Sequence, residues 1–317
     1  MNRKGIEFAF SWIFAVIAGA VILISAVYIT TQLVGTERKV GDTFIASELN
    51  TILNPIETNL EDSKYATIQF IDETRVFNDC SNIGAFGKQQ ISTSSKLGIG
   101  EDWGEQSVKK SSFNKYIFSR STEETKDKKI RAIVRPLFAP FKVGDLTMLY
   151  GGNYCFVNPT SDIEDLITDL SANGVQDVGI EISSSLSSCP REYTTVCFNQ
   201  IGCEININTQ SRVVSKYEQD LYYDGDSLML AAIFADPKIY ECQIKRLMGR
   251  TSELGSLYAK KAQYVEGEGC SNNLQTELQN FIMLTSVKDS REFVQNVIPA
   301  INNLEERNGQ LATCKIF

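Results

Sequence analysis

Ser112 and Lys115 stand at the S-x-x-K spacing that, on one helical turn, would set a hydroxyl beside an amine and make a serine–lysine acylating dyad. Neither an S-D-N nor a K-T-G partner accompanies them, and the flanking KYIFS pattern reads as strand. The acidic stretch DLYYDGDS offers Asp220, Asp224 and Asp226 as oxygen ligands for calcium. It lacks the alternating ligands and terminal glutamate of an EF-hand loop, and a hairpin turn at Asp224-Gly225 followed by a helix cap accounts for it. The glycines of LGIGEDWGE (97–105) miss the dinucleotide-binding spacing. The chain contains no histidine, which removes Ser-His-Asp and Cys-His nucleophilic systems and His-ligated metals. With 39 acidic residues, carboxylate pairs for glycoside hydrolysis can be drawn almost anywhere. No catalytic, cofactor or metal residue is expected; an extracellular carboxylate- or metal-dependent hydrolase stays as an alternative.

Eight cysteines are the other reactive groups: Cys80, Cys155, Cys189, Cys197, Cys203, Cys242, Cys270 and Cys314. All lie beyond the first 79 residues, in even number and without a C-x-x-C pair. That pattern favours disulfides in an oxidising compartment over a zinc site. Eight cysteines allow on the order of a hundred connectivities, so pairing stays open: Cys270 or Cys314 is the candidate partner of Cys242, while Cys189, Cys197 and Cys203 cluster around one turn.

The element that would deliver these cysteines outside a cell is at the start of the chain. No charge interrupts residues 8–36, and a helix needs about 20 apolar residues to cross a bilayer core. The run is far longer than the apolar stretch of a cleaved secretory signal, roughly 7 to 15 residues. A single-pass transmembrane helix is expected, with Trp12 and Tyr28 near the two headgroup boundaries. Arg3 and Lys4 before it balance Arg38 and Lys39 after it, so the positive-inside count is a tie. The cysteines decide in favour of an extracytoplasmic C-terminal domain. Ser11, Ala15 and Gly19 form a small-xxx-small face suited to close helix packing in lipid, and Glu7 is a charge at the membrane edge. The lipid bilayer is the first expected partner, with self-association or other membrane and surface proteins beside it. The formal net charge of −8 excludes nucleic acid.

Ile45, Leu49, Ile52 and Ile56 recur at helical spacing, so the helix is expected to run on as an amphipathic stalk until Pro55 ends or bends it. Strands are expected at 64–71, 115–119, 130–138, 153–157, 178–183, 194–198 and 204–208. TSDIEDLITDLSANG reads as a capped helix stopped by Asn173-Gly174, which makes a strand–helix–strand unit. Further helices are expected at SLMLAAIFA, from Asp236-Pro237 to about Lys261, at 273–285 and at 290–303. The class is α+β: an N-terminal transmembrane helix extended into a long amphipathic helix, a mixed-sheet middle region and a helical C-terminal region. Its units are 1–36, 37–61, 62–225 and 226–317.

Arg3-Lys4-Gly5 followed by IEFAFSWIFAVIAGAVILISAVY resembles the start of archaeal type IV pilin-like proteins. The resemblance implies processing between Gly5 and Ile6, a hydrophobic helix at a filament core and a β-containing head. Glu7 would be the second mature residue, whereas pilins commonly carry their glutamate at the fifth. The segments FGKQQISTSS, FKVGDLTMLYGGNYCFVNP and GDSLMLAAIFADPKIYECQIKRLMGR resemble uncharacterised single-pass membrane proteins of small-genome archaea, a likeness that implies topology and no activity. The leading expectation is a membrane-anchored extracytoplasmic structural or binding protein, with a pilin-like filament subunit as its alternative.

Overall fold

In the computed structural model the described residues are 12, 14–29, 45, 46, 49, 64–84, 86–97, 102–125, 127–172, 178–311 and 313–317. Residues 14–29 are helical, and every large apolar side chain in that run is exposed, from 52 % at Val16 to 69 % at Leu23 and Ile24. Among the described residues no helix is both long and apolar enough to cross a membrane; the flanks that the expected 8–36 span requires lie outside them. Of the expected stalk, Ile45, Ala46 and Leu49 are described and helical, while Ile52 and Ile56 are not. Leu49 is 1 % exposed and packs with Ile68, Phe70, Val76, Ile91, Ile117, Ile130, Ala132 and Leu149. This part of the amphipathic helix is therefore docked on the β-rich body.

The body is α+β, built on three sheets. β1 (Lys64–Gln69), β8 (Lys129–Phe138), β9 (Lys142–Tyr150) and β6 (Tyr116–Phe118) lie in that order in the first. β2 (Thr74–Ser81) and β3 (Lys88–Leu97) centre the second, flanked by β4 (Asp102–Trp103), β5 (Lys110–Ser112) and β7 (Thr122–Glu124). The third has the order β11 (Ile180–Ser183), β10 (Tyr154–Val157), β12 (Thr194–Phe198), β13 (Ile205–Asn208), β14 (Val213–Lys216), β15 (Gln219–Tyr222). Its first four strands are parallel and the last two antiparallel, so the sheet is mixed. Helix α1 (Ser161–Ala172) crosses from β10 to the parallel β11 and completes the expected strand–helix–strand unit. The YCFV residues of β10 are buried on both faces, as a strand inside a parallel sheet requires.

Helix α2 (Gly225–Phe234) is apolar all round, and Leu228 to Phe234 are buried without interruption. Such a helix has no solvent face and must sit inside the molecule; it packs on β6, β8, β9 and β14, and Phe234 stacks on Tyr150 at 4.5 Å. Helix α3 (Pro237–Gly267) begins with proline in its first turn, where the missing N–H costs nothing. Gly255 lets α4 (Gln275–Leu284) approach it: a Cβ there would stand 3.0 Å from Ile282 Cγ1. The chain ends in α5 (Ser290–Glu292), a π turn (Phe293–Val297) and α6 (Ile298–Gln310). One hydrophobic core runs through the β6, β8, β9 and β10 residues and through α2, α3, α4, the π turn and α6, across residues 225/226.

Two expectations need correction. Asp224-Gly225 is not a hairpin turn: Asp224 is the N-cap of α2 and Gly225, at φ +70°, its first residue. The hairpin turn is Tyr217-Glu218, both at positive φ, between paired Lys216 and Gln219, which makes a tight two-residue loop from residues that rarely adopt it. Cys242 pairs with neither Cys270 nor Cys314, because α3 presents it to β2 instead. The disulfides are Cys80–Cys242, Cys155–Cys189, Cys197–Cys203 and Cys270–Cys314, and no cysteine is free.

Candidate functional site

The β6–β7 turn, the β9–β10 loop and the start of β12 surround a cleft of ≈ 460 Å³, lined by Arg120, Thr122, Glu123, Glu124, Asn153 and Thr194 among others. Strand alternation explains its floor. In β7, Thr122 and Glu124 face out and Glu123 faces in. Glu123 is 3 % exposed. Its Oε1 accepts from the Arg120 backbone N–H at 3.3 Å and its Oε2 from that of Gly151 at 3.2 Å. Gly151 is required by this approach: a Cβ would lie 2.4 Å from the Glu124 carbonyl oxygen.

Behind the carboxyl lies a buried ionisable network. Arg120 donates from Nη2 to Thr194 Oγ1 at 3.0 Å. Lys216, 5 % exposed on β14, donates from Nζ to the Ile233 carbonyl at 2.8 Å. That oxygen belongs to the last turn of α2, where helix carbonyls lack intrahelical partners and a cation is favoured. Asp236, the N-cap of α3, does not close its own helix with its side chain; it accepts from the Ser121 N–H at 2.7 Å. Its backbone N–H donates to Ser119, so the α2–α3 junction is sewn to the β6–β7 turn.

Burial governs the titration of this group. Desolvation pushes Glu123 up to about 7, against the opposing pull of Arg120 and the two backbone donors. Desolvation likewise drives Lys216 down to about 7, partly offset by Asp236. The Tyr154 hydroxyl is raised by burial and then by Glu123. For Arg120, burial works downward, but Tyr154, Glu123, Tyr217 and Asp236 outweigh it and hold the guanidinium charged. A carboxyl that changes charge near neutrality at the floor of a polar cleft is a combination common at binding and proton-transfer sites.

The residues singled out by sequence fall elsewhere. Gly5, Ile6, Glu7 and Ser11 lie outside the described residues; Ala15 and Gly19 are helical, with nothing within 4 Å of a Cβ at Gly19. Ser112 ends strand β5 and donates to Asn114 Oδ1 at 3.1 Å, while Lys115 is buried beyond it, so no helical turn joins them. Asp220 accepts from Ser215 at 2.5 Å and Asp224 pairs with Arg212. Among the described residues no group of three His, Cys, Asp or Glu side chains is placed to hold a metal. Sequence reasoning missed Glu123 and Lys216, since TEE and VVSK look like exposed surface until the strands are paired.

No family model, no curated protein and no solved structure matches the chain. The site is accordingly defined by its own geometry: a polar, open cleft over a buried charge network in a disulfide-closed α+β body.

Proposed function

We propose that the chain is a membrane-anchored extracytoplasmic binding protein, with its N-terminal helix in lipid and the cleft above Glu123 as a ligand site. The observation that carries this reading is the helical run 14–29, whose large apolar side chains all stay more than half exposed beside a body closed by four disulfides. Apolar surface of that extent is stable in contact with hydrocarbon and costly in water. Disulfides persist where thiols are not kept reduced. The test is protease treatment of intact cells carrying a tag after Phe317: loss of the tag is expected, and a fully protected tag with alkylatable thiols would refute the topology.

A second reading, self-association in the manner of pilin-like proteins, is favoured by the open surroundings of Gly19, which leave room for a neighbouring helix. Mass spectrometry of the mature N-terminus separates the two. An N-terminus at Ile6 supports filament-type processing; retained residues 1–5 remove it.

A further inference from the structure

A second concavity, on the opposite half of the mixed sheet, differs in chemistry from the cleft above Glu123. It has a volume of ≈ 660 Å³ and is lined by Asn199, Gln200, Ile201, Asn206, Ile207, Asn208, Thr209, Gln210 and Ser215, with no charged side chain among them. Such a volume is of the order that holds a small-molecule ligand.

Two of its amides are oriented by bonds that leave them no choice. Asn199 Oδ1 accepts from the Thr209 backbone N–H at 2.9 Å and from the Thr209 hydroxyl at 2.8 Å. Asn208 Oδ1 accepts from the Ser211 N–H at 2.9 Å. A backbone N–H can only donate, so the oxygen of each amide must face it and the nitrogen must face away. Both Nδ2 groups, on side chains exposed to solvent, are thereby free to donate outside the described residues, and the exposed Gln210 amide is free to do so as well. Asn199 sits at φ +54°, a conformation that asparagine tolerates better than most residues. The Cys197–Cys203 disulfide closes the loop that carries it, with Ile201 at 91 % exposure between the two cysteines.

We propose that this groove binds a neutral glycan. Fixed amide donors call for a ligand rich in hydroxyl, ether or acetamido oxygens. A lining without charge disfavours ionic ligands, which would lose hydration with no counter-charge to replace it. Gln210 supplies both a donor and an acceptor, the pair a sugar hydroxyl can satisfy. Ile201 offers an apolar surface to the C–H face of a sugar ring. A protein strand would instead seek an open sheet edge such as β11, where backbone groups pair.

The experiment uses the full chain in mild detergent, with immobilised neutral hexasaccharides of glucose, mannose and N-acetylglucosamine as probes and unstructured peptides in parallel. Asn199→Asp and Asn208→Asp keep the oxygen that the backbone needs and replace the amide donor with a charged acceptor. Binding to at least one hexasaccharide is expected, weakened about tenfold or more by either change with the thermal midpoint retained. If either variant loses its folding transition, Gln210→Ala, whose side chain bonds nothing among the described residues, decides alone and must also weaken binding. Absence of glycan binding by the native chain, affinity untouched by the variants, or binding of peptides in place of glycans overturns the proposal.

Discussion

Glu123 shows how one inward-facing position acquires unusual chemistry. Its acid form is favoured by the fold, because the native carboxyl titrates near 7 and the unfolded one near 4.5. The native state therefore binds the extra proton between these values, and the stability it contributes is present below about 4.5 and lost as pH rises through about 7. Lys216 works in the other direction: its native amine titrates near 7 against 10.5 unfolded, so stability is regained as pH rises from about 7 towards 10.5. Unfolding free energy measured against pH should dip near neutrality. Glu123→Gln should remove the acid limb of that dip, so that its effect on unfolding free energy is more favourable at pH 8 than at pH 4 by on the order of 2–3 kcal/mol, while its NH2 leaves one of the two backbone donors unpaired at either pH; a pH-independent effect would contradict this. Gly151→Ala should cost about 1–3 kcal/mol, since its methyl group meets the backbone of Glu124. Thermal melts of the variant are the check.

Between elements, the critical contact is the seam of α3 with the β2–β3 sheet. Arg246, 2 % exposed, donates to the carbonyls of Phe86, Lys115 and Phe113 and to Gln243 Oε1. Gln243 in turn bonds Gln89 and the Ile117 carbonyl, and Gln89 bonds Asn78. Cys80–Cys242 locks the same seam covalently. Arg246→Met would fill similar volume but strand several buried carbonyls, and a loss of about 3 kcal/mol or more in chemical denaturation is expected. None of this seam could be seen from periodicity. The 3.6-residue pattern locates α3, and Asp236-Pro237 marks its start; which strand receives Cys242 depends on a contact 162 residues apart in sequence.

For the molecule as a whole, the part of the amphipathic helix that carries Ile45 and Leu49 belongs to the body. Removing residues 1–44 should leave the body folded, whereas removing residues 1–61 uncovers the cluster around Ile68, Phe70 and Val76 that Leu49 covers. Leu49→Ala alone should lower stability by about 2–5 kcal/mol, read from denaturant midpoints; an unchanged midpoint would mean that the helix does not dock. Alkylation under denaturing, non-reducing conditions should modify no cysteine, and eight after reduction.

Sequence alone was enough for what depends on near neighbours. Strand β12 falls at the expected residues, β1, β6, β8, β10, β11 and β13 fall within one or two of theirs, and the helices start within two of theirs, because side-chain periodicity and capping act over one or two turns of chain; α3 runs on to Gly267 and α6 to Gln310, past the expected ends at about 261 and 303, and a π turn interrupts the last helix. The long central hairpin of β2 and β3 escaped notice, since KQQISTSS is polar on both faces and its burial comes from other layers. Disulfide partners, the inward turn of Glu123 and the burial of Lys216 against the end of α2 were decided only by tertiary structure. Each depends on which surfaces meet across long stretches of chain, and burial there sets the charge state of the groups involved.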